Sequence, residues 1–146
     1  MKVLAIFFIT IFSTHVSWLG DFNAAKTEAA QEHKLILINF SGSDWCGPCI
    51  RLRKEILESA TFEDYASAHL VLVRADFPRQ KKNQLSKEQT RLNEALADKY
   101  NADGKFPYTL LVDEKGTILR SWDGFPGVTP EQFVAQINDA GQVVKK

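Results

Sequence analysis

Two short apolar runs, Leu35 to Phe40 and Leu70 to Ala75, constrain this chain more than any other feature. Each is too short for a buried helix, and the first is bounded by Lys34 and by Ser41-Gly42-Ser43, so both read as buried strands. Segments of helical pattern surround them. Residues 21–33 are Ala-rich with one polar side, and Gln89 to Tyr100 places Leu92, Leu96 and Tyr100 on one face. From Cys46 to about Tyr65, Ile50, Ile56, Leu57 and Ala60 recur at helical spacing, predicting one continuous helix. Tyr108–Asp113 and Thr117–Trp122 are strand-like and joined by Glu114-Lys115-Gly116, a hairpin signal. Thr129 and Pro130 suit the N-cap and first position of a last helix, with Gly141 expected as its C-cap. Pro78 to Lys87 is charged and reads as a loop. The expected class is α/β, a central mixed sheet with helices on both faces.

The N-terminus is different. Lys2 precedes an apolar run over residues 3–12, and polarity rises at Ser13-Thr14-His15. A positive start and a short apolar stretch suit a secretory signal peptide, although no Ala-x-Ala-like cleavage pair is present. The run falls short of the ~20 residues a bilayer span needs. We therefore expect residues 1–17 to be a signal peptide and residues 18–146 to be one domain. The alternatives are an uncleaved anchor extending towards Leu19 and a buried N-terminal strand or helix. Export would put the chain in the periplasm or outside the cell, where disulfides persist. Eighteen basic residues balance eighteen acidic ones, which argues against a nucleic-acid partner, since that affinity rests on an excess of Lys and Arg.

Chemistry centres on two cysteines, in Cys46-Gly47-Pro48-Cys49. A bridge across so small a loop restrains little chain entropy, so reactivity explains it better than stability does. The pair falls where a strand gives way to a helix. There, unpaired N–H groups and the helix dipole favour a thiolate, lowering the pKa of Cys46. Cys49, one turn further in, is shielded and placed to attack a disulfide formed at Cys46. The other readings are a structural disulfide or half of a zinc site. His15, His33 and His69 show no ligand spacing, so a metal would need a second chain, and no metal is expected.

Trp45-Cys46-Gly47-Pro48-Cys49 after a hydrophobic strand, with Phe106-Pro107-Tyr108 opening a later strand, resembles the active site of the thioredoxin family. About residues 18–140 can be laid on the family pattern, and the sequence looks most like exported one-domain bacterial members. The resemblance implies a thioredoxin-like fold and a thiol–disulfide oxidoreductase acting on protein disulfides. It implies catalysis by Cys46 and Cys49 with no cofactor beyond their disulfide, in an active-site loop that includes Trp45, Gly47 and Pro48. It also implies a cis Pro107, with the Phe106 backbone binding an extended substrate segment. Trp45 then belongs to the substrate-contacting surface, packing being the plainer alternative. The Gly-Pro dipeptide resembles reducing members; an oxidase or isomerase, or a binding module that does not cycle its cysteines, are the other readings. An exported reductase needs an electron source, expected to be a membrane protein, and the domain itself is expected to be a monomer.

The sequence departs from the family in four places. Asn39 stands where a buried acid often assists the second cysteine, and an amide cannot relay a proton. One extra residue lies between Phe40 and Trp45, leaving Asp44 beside the motif on a loop expected to be solvated. Lys54 replaces the proline that usually kinks the active-site helix, and Tyr108 replaces a threonine after Pro107. Arg74, within the second strand, is expected to pair with a carboxylate or to snorkel. The Arg79-Gln80-Lys81-Lys82 cluster is expected to be a solvated loop, with partner docking as the alternative.

Overall fold

The computed structural model describes residues 16–142; residues 1–15, most of the expected signal peptide, lie outside the described residues. Five strands form one sheet in the order β1-β3-β2-β4-β5, comprising β1 (Trp18–Leu19), β2 (Leu35–Ser41), β3 (Leu70–Asp76), β4 (Tyr108–Val112) and β5 (Ile118–Asp123). β2 runs parallel to β3 and antiparallel to β4. The sheet is therefore mixed, as the alternating strand and helix signals imply. β1 has no counterpart in the sequence reading; it pairs in parallel with β3 through Trp18 and Leu72.

Alternation along β2 and β3 divides the core. Ile36, Ile38, Phe40, Val71, Val73 and Ala75 face one side, where Ala25 and Ala29 of α1 (Phe22–Glu32) and Leu96 of α4 (Lys87–Tyr100) pack on them. Leu37, Leu70 and Leu72 face the other, under Leu52 of α2 (Gly47–Leu52), Phe62 of α3 (Ala60–His69), and Phe133 and Ile137 of α5 (Pro130–Gln142). On this second face the same alternation continues with polar residues. Asn39 and Ser41 follow Leu37, while Arg74 and Asp76 follow Leu72, and the register sets Asn39 beside Arg74 and Ser41 beside Asp76. A polar row thus crosses the C-terminal ends of the two central strands.

Helix ends follow local chemistry. The Asp21 carboxylate caps α1 by accepting from the Asn23 amide at 2.8 Å, and His33 closes that helix at φ 54°. Thr129 and Gln132 cap α5 reciprocally, side chain to amide, at 3.2 and 3.0 Å. The hairpin turns at Gly116, whose φ of 87° suits glycine.

Two sequence expectations are corrected. The continuous helix expected from Cys46 to about Tyr65 is broken: α2 passes into a π turn over Arg53–Leu57, where the Glu58 amide reaches back to the Arg53 carbonyl at 2.8 Å. Ser59 then starts α3 by accepting from the Phe62 amide at 3.2 Å. Lys54 lies inside the π turn, so the helix departs from α geometry near the expected kink without a proline there. Gly141 is not a C-cap either. It lies within α5, where a Cβ would stand 2.9 Å from Leu35 Cδ1, so the residue permits close packing of helix on strand.

Candidate active site

β2 delivers the chain to Ser41 at the sheet's end, and the loop through Trp45 carries it over to α2. Cys46 is the N-cap of that helix, with extended backbone, and its sulfur accepts from the Cys49 amide at 3.3 Å. A sulfur there meets the donor end of the helical turn, as its position in the sequence predicts. Cys46 and Cys49 are joined by a disulfide with Cα atoms 5.2 Å apart. Pro48 sits in the first turn, where a missing N–H costs nothing. Gly47 and Pro48 are exposed, while Cys46 and Cys49 are both buried, and Cys49 accepts from the Gly42 amide at 3.5 Å.

The Phe106–Pro107 peptide is cis. Because Phe40 pairs with Tyr108, the antiparallel register brings Pro107 alongside Ser41, next to the strand end from which the cysteine loop departs. Pro107 is buried, and its carbonyl accepts from the Gly124 amide at 2.8 Å. The Phe106 ring meets Trp45 edge-on at 5.5 Å and Phe77 at 5.5 Å. All seven residues singled out by the sequence are thus drawn to one end of the sheet: Trp45, Cys46, Gly47, Pro48 and Cys49 along one loop and helix start, Phe106 through its contact with Trp45, and Pro107 through the register of β4 on β2.

Trp45 is half-buried and held at three points. Its indole N–H donates to the Phe77 carbonyl at 2.7 Å, the Arg79 guanidinium lies 3.7 Å over its ring, and Gly42 lies so close that a Cβ would overlap the indole. These contacts pack one part of a ring that stays half exposed.

Asp44 is no buried acid. Its carboxylate accepts from the amides of Arg79 and Gln80 at 2.9 and 3.0 Å and from Asn83 Nδ2 at 3.0 Å. Those bonds, the Arg79 amide foremost and then Asn83, hold its carboxyl below the usual range, so it is ionised and engaged. The Arg79–Lys82 cluster is exposed, as expected of a solvated loop, with a 3₁₀ turn over Lys81–Asn83, and the amides of Arg79 and Gln80 tie its start to the cysteine loop.

Asn39 is buried, and its amide donates to Thr109 Oγ1 at 3.1 Å. Arg74 makes no carboxylate pair among the described residues; its guanidinium stacks 4.1 Å over Trp18, and burial lowers its pKa. Between these residues and Cys49 lies a cavity of about 90 Å³ bordered by Asn39, Ser41, Ser43, Arg53, Arg74 and Asp76. Sequence reasoning missed Asp76, Phe77 and the Trp45–Arg79 stack. The alternation of β3 could have placed Asp76 on the cysteine side; nothing in the pattern announces Phe77 or the stack, which depend on where the loop after β3 turns.

Residues 22–141 match the model of the thioredoxin-like domain family. The chain is 35% identical over 117 residues to the disulfide bond reductase DsbH of Chlamydia pneumoniae, covering 80% of this chain and 68% of that protein. It is 31% identical over 108 residues to the thioredoxin-related protein DsbJ of the same organism, covering 74% of this chain and 30% of that longer protein. The solved structure of a DsbH oxidoreductase superposes with a TM-score of 0.79 at 31% identity, covering 96% of this chain and 93% of the other. With the cysteine pair at a strand–helix junction and the family match spanning the described fold, the chain belongs to the thioredoxin-like domain family and is a thiol–disulfide oxidoreductase.

Proposed function

We propose that this oxidoreductase reduces protein disulfides, with Cys46 as nucleophile and Cys49 as resolving thiol. The observation that carries the assignment of roles is the unequal setting of the two sulfurs. Cys46 caps α2 and accepts a helix-start amide, whereas Cys49 lies one turn deeper against Gly42. In the reduced protein, the Cys46 thiolate attacks one sulfur of a client disulfide. The client's S–S bond breaks, and one client cysteine leaves as thiolate. Cys49 then loses its proton and attacks Cys46; the mixed disulfide breaks, the second client thiolate departs, and the Cys46–Cys49 bridge forms. Two electrons pass from the dithiol to the client.

Exposed Gly47 and Pro48 give a client access, and Trp45 with the Phe106–Pro107 backbone forms the platform on which its extended segment adds as a strand. The cysteine disulfide is the only redox group the cycle requires. The name of the similar Chlamydia protein, a disulfide bond reductase, supports the reducing direction. In this reading residues 1–17 direct export, the domain works as a monomer in the periplasm, and a membrane-embedded donor re-reduces it.

The test is the reduction potential of the pair, measured by equilibration with dithiothreitol and glutathione buffers. A value near −270 mV supports the reductase, whereas one near −120 mV reverses the direction to an oxidant. A Cys46→Ser variant should lose client reduction entirely; unchanged activity would remove the enzymatic role and leave a binding module.

A further inference from the structure

Resolution requires a proton to leave Cys49, and the side chain best placed beside it on the strand, Asn39, is an amide whose nitrogen is engaged by Thr109. We propose that Asp76 is the group that takes this proton, through water in the cavity beneath Cys49. This inference rests on the assignment of Cys49 as the resolving thiol.

The geometry is specific. Asp76 ends β3 directly beside Ser41 and faces the same side of the sheet as Asn39. Among the described residues it is the one carboxylate bordering the cavity that Cys49 also borders, and about 90 Å³ holds more than one water. The carboxylate is oriented by a single residue of the cysteine loop. The Ser43 amide donates to Oδ1 at 2.9 Å and the Ser43 hydroxyl to Oδ2 at 2.6 Å. Each oxygen retains a further acceptor site for water. The backbone of Asp76 is fixed from the opposite side, where Asn93 Nδ2 of α4 donates to its carbonyl at 2.9 Å.

Asp76 also borders a second cavity, of about 200 Å³, between the loop after β3 and α4. The charged neighbours are Arg74 on its own strand, Arg53 from the π turn, whose Nε lies 3.7 Å from Glu58, and Glu94 of α4 across the second cavity. Arg74 and Arg53 favour the thiolate left on Cys49, while Asp76 holds the released proton. The step balances: the Cys49 S–H bond breaks, its proton moves to the Asp76 carboxylate by way of water, and the sulfur's electron pair forms the bond to Cys46 as the client thiolate leaves.

The experiment mixes fully reduced protein with one equivalent of 5,5′-dithiobis(2-nitrobenzoate) and follows thionitrobenzoate by absorbance between pH 5.5 and 9. Attack by Cys46 releases a first equivalent, and resolution by Cys49 releases the second. In Asp76→Asn the first release should keep its rate. The second should slow at least about a hundredfold at pH 7, the lower end of the usual range for losing a positioned base, and recover as pH rises. Adding Asn39→Asp, which returns an acid to the neighbouring strand, should restore the second release at pH 7. If the second release in Asp76→Asn stays within twofold of wild type with the same pH profile, Asp76 is not the acceptor. A slowing equal at every pH and unrelieved by Asn39→Asp would likewise overturn the proposal, since it marks a structural defect. Should Asp76→Asn fail to fold by circular dichroism, Asp76→Ser carries the same criteria. Absence of a second release in the wild type would instead sink the assignment of Cys49 as resolving thiol.

Discussion

The indole N–H of Trp45 donates to the Phe77 carbonyl at 2.7 Å, so the residue before the first cysteine is bonded to the backbone just beyond β3. Replacing Trp45 by Phe keeps an aromatic ring against Phe106 but removes that donor. The Phe77 carbonyl then loses its side-chain partner, and a loss of about 1 kcal/mol is expected, measured as a shift in urea midpoint at constant m-value.

Gly42 is required by the same tryptophan. A Cβ at residue 42 would overlap the indole, so Gly42→Ala must displace the ring from Phe77 and Phe106. Overpacking of this kind costs about 1–3 kcal/mol, and the variant should also show a shifted tryptophan emission. Wild-type stability with unchanged emission would mean that the loop yields instead of the ring.

Asp44 supplies a pH-dependent test. Its folded-state pKa lies below the ordinary 3.8, held there first by the Arg79 amide and then by Asn83. The sign follows from linkage: the clamp contributes fully above the unfolded value and is lost as pH falls through the lower folded one. Protection of the Arg79 and Gln80 amides, taken relative to intrinsic exchange at each pH, should therefore hold down to about pH 4, near the ordinary aspartate value, and fall only below it. In Asp44→Ala both amides should lose that protection at every pH. Slow exchange in that variant would show that some other contact holds the segment.

Thr109 and Asn39 form a buried hydrogen bond across β2 and β4, at 3.1 Å. Thr109→Val strips the acceptor and leaves the Asn39 amide unpaired, a cost of about 1–3 kcal/mol in a thermal or denaturant melt. Asn39→Leu together with Thr109→Val should recover much of this loss, because both polar partners are then gone.

Phe133 joins the core of the second face, with its ring 4.9 Å from Trp122 and 6.1 Å from Phe62. Phe133→Ala should cost about 3–5 kcal/mol through lost burial and the cavity left behind. Because the contacts are remote from the cysteines, the reduction potential of the folded fraction should not move.

Legibility in the sequence followed the strength of local signals. β2, β3 and the hairpin showed as apolar runs and turn residues, and the cysteine pair with Phe106-Pro107 showed as a pattern. β1 did not: two residues carry no periodicity, and Trp18–Leu19 follow an apolar leader-like segment that masks them. The break in the active-site helix was hidden because residues 53–58 contain neither Gly nor Pro. The cap at Ser59 was the available sign, overshadowed by hydrophobic residues that keep helical spacing on both sides of it. Asp44, Asp76 and Arg79 owe their roles to partners 33–39 residues away, and no local rule reports such pairings.

The anchoring of Asp44 and Trp45 to the stretch from Phe77 to Asn83 bears on how this site could be transplanted. Grafting Trp-Cys-Gly-Pro-Cys alone onto another scaffold would carry the sulfurs but leave behind the struts that set their surroundings. Two stretches distant in the chain behave as one inheritable cassette, and a change accepted in either is judged against the other.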